Sequence, residues 1–354
     1  MPAGMQFFVP GERAADSDLF SESTKKAIKA EAKLKPRSST HDEAVADLVE
    51  RHFGREMMER VADPLLMGIY GADSRQLSVQ AVLPRFVEIE ARHGSLIRGL
   101  AAQAQRDPHK PLFTSLKRGM QQLADTIAQR LEPASIQTTC VVNSVRRSGD
   151  KWQVSFATGS ADFDALIVAV PAFAAADILK STDSELAEQL ARISYTDSVV
   201  LALGYSTSTL NKLPAGFGFL VPRSEKYRTL ACTFVHNKFQ HRAPQNKALL
   251  RIFMGGIYDN HVVQLGEEQL ASIARHELRE ILDVTEEPEF VRVFRWRKAM
   301  PVYEVGHLDL VQRIREREGR LARFRLIGNG YKGVGVPDCI REGKEAAEAM
   351  VQGL

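Results

Sequence analysis

The chain is poor in what several protein classes need. Three of its 354 residues are cysteine, Cys140, Cys232 and Cys339, far apart and with no CxxC pair. That argues against a disulfide framework and points to a reducing compartment. The nine histidines form no HxH or HExxH pattern, so no metal site is expected. Long hydrophobic runs are missing too. The longest, Ala165 to Ala176, is interrupted by Pro171, and a bilayer-spanning helix needs about 20 apolar residues. The opening stretch, MPAGMQFFVPGERAADSD, has no basic segment followed by an apolar core, so no signal peptide is predicted. Nor is there an excess of one charge. Lys and Arg number 47 against 44 Asp and Glu, a net +3. A dedicated nucleic-acid binder usually carries a clustered basic stripe, so nucleic acid is not an expected partner. There are no internal repeats and no low-complexity segments.

What remains is an ordinary globular composition. Hydrophobic residues at 44% and charged residues at 26% exclude a disordered chain. At about 150 residues per domain the length predicts two domains. A chain this long can bury a core without staples.

The first 130 residues read as helical. Ser21 and Ser23 are candidate caps for Thr24 to Leu34, where Lys25, Lys26, Lys29 and Lys33 make one basic face. Such a face is read as a solvated surface helix, with attraction to an anionic membrane as the sharper alternative. Asp42 opens a helix whose Val45, Leu48, Val49 and Phe53 recur at core spacing. Met57, Met58, Val61, Leu65 and Leu66 continue the stripe. Met67 to Gly71 places two glycines in an apolar context, which suits core packing and would also let the backbone approach a flat ligand.

The pattern changes after Pro133. Ile136 to Val145 is predicted as a strand. Trp152, Val154 and Phe156 alternate, and Leu166 to Val170 reads as a strand buried on both faces. Ala172 to Leu190 is predicted as one helix. Five strand-like runs follow (VVLALGY, FGFLVP, TLACTFV, ALLRIFM, FVRVFRW), with one helix near Glu267 to Leu282. This order suggests a mixed α+β unit.

The last segment carries the most chemistry. Phe324 to Ile327 reads as a buried strand. Gly328, Gly330 and Gly333 match GxGxxG, and Pro337 fits the first turn of a helix that would pack Ile340, Ala347 and Val351. Backbone N–H groups at such a helix start suit an anionic or electron-rich ligand edge. A dinucleotide fingerprint also needs a closing βαβ unit and an acidic residue about 20 positions on. Neither follows here, so the loop is expected to be a second contact to a cofactor held elsewhere.

Gly328 to Arg341, GNGYKGVGVPDCIR, closely resembles the C-terminal signature of oxygen-dependent protoporphyrinogen oxidases, in the FAD-containing amine-oxidase-like superfamily. Phe53-Gly54, Asp63 to Asp73, Leu77-Ser78 and Gly94 to Gly99 are similar to the family's helical region. Phe113 to Gly119 resembles the segment that returns to the FAD domain. Trp296, Ala299 to Tyr303 and Gly306-His307 resemble its W..AMPQY..GH stretch.

The resemblance implies an α/β and α+β fold: an incomplete FAD-binding Rossmann-like domain, an inserted helical domain and a mixed-sheet substrate domain. It divides the chain into a helical membrane-associated and substrate-channel region at 1–112, an FAD-domain segment at 113–193, a substrate sheet at 194–294 and a second FAD-domain segment at 295–354. It implies oxidation of protoporphyrinogen IX to protoporphyrin IX in haem synthesis. FAD would be the redox group and molecular oxygen the acceptor. No catalytic acid, base or nucleophile stands out. Val142 matches a backbone contact to the adenine end of FAD, Trp296 a position beside the flavin, and Val334, Gly335 and Val336 contacts to the isoalloxazine edge. Core roles for Val142 and Trp296 stay open. Arg98 is a candidate propionate partner, against a surface or intramolecular ion pair.

The family's opening βαβ unit with its own GxGxxG has no counterpart here. Met1 to Met5 resembles a point well inside the family, so the chain reads as a truncated member, with porphyrinogen oxidation expected of the intact gene product and these 354 residues alone expected to purify without bound FAD and without activity. Two other readings stand beside this one: a non-catalytic porphyrin-binding fragment, and a related FAD oxidase acting on coproporphyrinogen III or an amine. Extra basic groups in the pocket would favour coproporphyrinogen, which has two more propionates. A cytoplasmic location, peripheral contact with the inner membrane and a homodimer are compatible with the resemblance.

Overall fold

The computed structural model describes residues 4–38, 41–103, 114–239 and 241–352. The helical first part contains α1 (Glu22–Glu31), α2 (Val45–Phe53), α3 (Arg55–Met57), α4 (Asp63–Tyr70), α5 (Val79–Val82), α6 (Pro84–His93), α7 (Leu96–Ala101) and α8 (Gln121–Ala128). Then come β1 (Val142–Ser148), β2 (Lys151–Phe156), β3 (Gly159–Phe163), β4 (Leu166–Val168), α9 (Ala172–Leu179), α10 (Ser184–Ala191) and β5 (Tyr195–Tyr205). The rest is α11 (Thr207–Leu210), β6 (Gly218–Leu220), β7 (Thr229–Phe234), α12 (Val235–Lys238), β8 (Ala248–Gly255), α13 (Glu267–Leu282), β9 (Phe290–Pro301), α14 (His307–Glu318), β10 (Phe324–Leu326) and α15 (Val336–Gln352).

Two compact units result: residues 1–114 with 195–305, and residues 115–194 with 306–354. The helical region and the long sheet therefore share one unit. The boundary anticipated at 112–113 lies outside the described residues. The one anticipated at 294–295 falls inside β9, which runs on to Pro301.

In the first unit the apolar stripe of α2 is buried as its spacing requires, with Val45, Leu48, Val49 and Phe53 at 0% exposure. Met57, Met58, Val61 and Leu66 join the same core. Between α3 and α4 the chain widens into one π-helical turn, Met58–Ala62. Pro64 follows. It has no N–H to give to Arg60 and its ring crowds that carbonyl, so the helix opens there. Ser21 caps α1, accepting from the Thr24 N–H, and Glu56 accepts from both hydroxyls.

A polar knot ties these helices together. The His52 side chain is fully buried between two carboxylates. Its Nδ1 donates to Glu31 at 2.9 Å and its Nε2 to Glu90 at 3.1 Å. Glu31 also accepts from the Ser95 hydroxyl at 2.7 Å and the Leu96 N–H at 2.5 Å. Arg51 pairs with Glu90 and Glu43. One knot thus joins α1, α2, α6 and the start of α7.

The five-stranded sheet of this unit runs β6-β7-β8-β5-β9, antiparallel throughout. Alternation sends Val199, Leu201, Leu203, Leu250, Ile252 and Met254 to one face. There they pack with Leu270, Ala274 and Leu278 of α13.

The second unit holds the antiparallel β1-β2-β3 meander and a parallel pair, β10-β4. Trp152 is fully buried, donates to the Ala322 carbonyl at 3.0 Å and lies 5.1 Å from the Phe324 ring. Four expectations are corrected here. The first strand starts at Val142, because the Pro133–Ser135 turn and the left-handed Thr139 keep the preceding residues irregular. The strand at Leu166 stops at Val168 and is only half-buried. The helix over Ala172 to Leu190 is two helices, since Asp183 leaves helical geometry and its carboxylate caps the Leu186 N–H at 2.9 Å. Finally, α15 buries Ala346 and Met350, whereas Ile340 and Val351 are 52% and 73% exposed. Glu342, which shares the Ala346–Met350 face, bonds inward to the Gly328 N–H and to Arg315, and this sets the helix rotation.

Candidate functional site

The glycine-rich loop leaves β10 with its ends tied down. The Ile327 N–H donates to Val168 at 3.0 Å and the Gly328 N–H to Glu342 at 2.8 Å. Arg315 bonds to Glu318, to the Leu326 carbonyl and to Glu342, and stacks 5.1 Å from the Tyr331 ring. His307 Nε2 donates to the Tyr331 carbonyl at 3.2 Å. Gly333 has φ +89°, and a Cβ there would lie 2.7 Å from the Asp338 carboxylate. The carboxylate folds over the loop and is held by Arg341 at 2.5 Å. Glycine at 333 is therefore required twice over, by backbone and by space. Gly333→Ala should lower Tm, at a cost of about 1–2 kcal/mol from the left-handed backbone alone, plus the displacement of Asp338. An unchanged melting curve would refute that reading of the loop.

Val334, Gly335 and Val336 follow at the start of α15, half-buried to exposed. Pro337 has no N–H and those of Asp338 and Cys339 are given to the Gly335 carbonyl, so the donors that the helix start would offer the electron-rich edge of a flavin are the N–H groups of Val334, Gly335 and Val336. Val142 lies in the same unit. It opens β1 opposite Phe156, beside a bulge before Ser144, and is half-buried.

Trp296 and Arg98 belong to the other unit. Trp296 pairs with Ser198 in β9 and is 52% exposed, so it is not a buried anchor. Arg98 is exposed, and its guanidinium donates to the Leu34 and His93 carbonyls at 2.7 and 2.6 Å. Those bonds fasten the start of α7 to the end of α1 and α6.

Trp296 lies on the sheet face opposite α13, with companions that sequence reading missed. By register, Trp296, Phe294, Arg292 and Phe290 of β9 share that face with Val200 and Ala202 of β5 and with Phe253 and Arg251 of β8. Phe290 and Phe294 are 43% and 49% exposed. Large exposed aromatics grouped on one face mark a binding surface more often than an accident. No polar–apolar alternation marks them in the sequence, since LLRIFM is apolar but for Arg251; the alternation is one of burial along β8 and β9. At the β6-β7 end, α4 packs onto the sheet, and a Cβ added at Gly68 would come into van der Waals contact with Leu220 and Ala231. A cavity of about 330 Å³ lies there, lined by Asp63, Met67, Arg223, Arg228 and Tyr258. Its Arg223 stacks on Tyr258 at 3.6 Å and its Arg228 faces Asp259 at 3.6 Å.

Burial alone would lower the pKa of His52, but its bonds to Glu31 and then Glu90 outweigh that and raise it. Burial would raise Glu90, yet His52 and Arg51 hold it below the usual range.

The coproporphyrinogen III oxidase of Bacillus subtilis (strain 168) is 29% identical over 98% of this chain and 76% of its own length. The chloroplastic protoporphyrinogen oxidase of Oryza sativa is 27% identical over 87% of this chain and 63% of its own. A crystal structure from Exiguobacterium sp. 255-15, provisionally described as a protoporphyrinogen oxidase, superposes with a TM-score of 0.86 at 25% identity, covering 99% of this chain and 77% of that one. Residues 2–351 match the family described as flavin containing amine oxidoreductase, and the chain belongs to that family.

Proposed function

We propose that the protein oxidises a porphyrinogen to the corresponding porphyrin, with FAD as redox group and oxygen as final acceptor. The observation that carries this reading is the open aromatic sheet face, Phe253, Phe290, Phe294 and Trp296, which suits a large, flat, apolar molecule. Relatives named for coproporphyrinogen III and for protoporphyrinogen both support it.

When bound, the flavin supplies hydride-equivalent acceptance. This chain's residues supply position and field. The Val334–Val336 backbone would hold the flavin edge, and the α15 N-terminus would favour the negative charge gained on reduction. Val142 would meet the adenine end. No acid or base of this chain is assigned a proton.

Among the described residues no helix is long and apolar enough to cross a membrane. The exposed Lys26, Lys29 and Lys33 of the first helical region support peripheral attachment to an anionic surface.

The test is porphyrin fluorescence after adding coproporphyrinogen III or protoporphyrinogen IX in air with FAD supplied. Emission should grow faster than spontaneous oxidation. A rate equal to the protein-free control for both substrates would overturn the proposal.

A further inference from the structure

Among the cations of the first unit, Arg251 is exceptional. It sits in the middle of β8, opposite Thr233 of β7, with its backbone in the sheet and its side chain half-buried. Its Nε is buried and has no hydrogen-bond partner, and among the described residues no carboxylate pairs with its guanidinium. Its ring neighbour is Phe253, 5.0 Å away on the same face. Burial and then Arg242 lower the Arg251 pKa, while burial and then Arg251 lower that of Lys238.

Other arginines around the cavities have partners. Arg223 has Tyr258, Arg228 has Asp259, Arg315 has Glu318 and Glu342, and Arg341 has Asp338. A partly buried charge with an unbonded buried N–H is costly, and a like charge acting on it adds to the cost. A fold retains such a group when something outside the chain completes it. A planar guanidinium in a partly dry site is best completed by a carboxylate, through two parallel N–H···O bonds. Phe253 beside it, and Phe294 and Trp296 farther along the same sheet face, suit an apolar ring body attached to that carboxylate.

From this juxtaposition we infer that Arg251 binds a propionate carboxylate of the tetrapyrrole, with Arg242 and Lys238 adding positive potential around it. The inference rests on the porphyrinogen reading and names the group that would recognise the substrate's charge.

The test uses stable oxidised porphyrins as probes, so turnover is not needed. Coproporphyrin III and its tetramethyl ester are titrated into the full chain and into Arg251→Gln and Arg251→Lys, following porphyrin fluorescence. The wild type should bind the acid at least about tenfold more tightly than the ester. Arg251→Gln should lose most of that preference and leave ester binding unchanged. Arg251→Lys should recover part of it, which a merely structural role would not predict. If the wild type binds acid and ester alike, or if a folded Arg251→Gln keeps the preference, the assignment is overturned while porphyrin binding stands. If the wild type binds neither probe, the porphyrinogen reading itself falls, and the assignment with it. Should Arg251→Gln fail to fold, the wild-type comparison of acid with ester and the Arg251→Lys titration still decide.

Discussion

Glu31→Ala should be among the most destabilising single changes in the chain, at about 3–5 kcal/mol, because it strips one partner from a buried pair. Glu31 is 1% exposed and accepts from His52, the Ser95 hydroxyl and the Leu96 N–H. Its loss leaves a buried imidazolium with one carboxylate and two donors with none. Three helices lose their common tie. The expected fall in Tm is about 10 °C. The same knot sets a pH dependence. His52 has a folded pKa above its ordinary 6.5. Its stabilisation is therefore complete below about 6.5 and is lost as pH rises through the folded value. Glu90 has a folded pKa below its ordinary 4.5. Its stabilisation is present above that value and is lost as pH falls through the folded one. Tm should decline on both sides of a mid-pH maximum, and His52→Gln should flatten the alkaline limb. Melting curves of the two variants and the wild type across pH would show it. Parallel limbs in wild type and His52→Gln would mean that His52 is not the titrating group.

Arg315→Met should cost about 1.5–3 kcal/mol, less than the Glu31 change because the Arg315 side chain is 34% exposed, and should have a more local consequence. Arg315 holds Glu318, which is 2% exposed, and Glu342, while those carboxylates receive the Leu326 and Gly328 N–H groups. Burial would lower the Arg315 pKa, but Glu318 and then Glu342 raise it, so the cation persists at any working pH. Removing it leaves two carboxylates facing each other beneath the glycine-rich loop. Hydrogen exchange should then quicken in residues 327–335 more than in the β1-β2-β3 meander. Arg315→Lys should restore the charge but not the fork, and should recover part of the protection. Uniform exchange across the second unit in Arg315→Met would show that Arg315 does not act on the loop.

Much of this was legible in the residues. The α2 stripe, the five strand-like runs and the helix Glu267–Leu282 follow from spacing, because each has one face in a core. The GxGxxG loop between strand and helix was likewise readable. The misreadings have physical causes. The face of α15 is chosen by Glu342 reaching Gly328 and Arg315, a polar constraint that hydrophobic spacing does not encode. The break at residues 180–183 comes from one capping carboxylate. Arg251 and the Phe290–Phe294–Trp296 face were hidden for another reason. Alternate side chains of a strand leave the core, but only the register across β7, β8, β5 and β9 shows which of them meet. The Glu31–His52–Glu90 knot joins residues 21 to 59 positions apart and leaves no local pattern.

A porphyrinogen rather than an amine should be the substrate of this family member. Porphyrin fluorescence and peroxide release measured together, in air with FAD supplied, test it most directly. Coproporphyrinogen III, protoporphyrinogen IX and a panel of primary amines would be offered in turn. Porphyrin and peroxide should rise together on a porphyrinogen, and amines should give no peroxide above background. Peroxide from an amine, with porphyrinogens oxidised no faster than without protein, would contradict it.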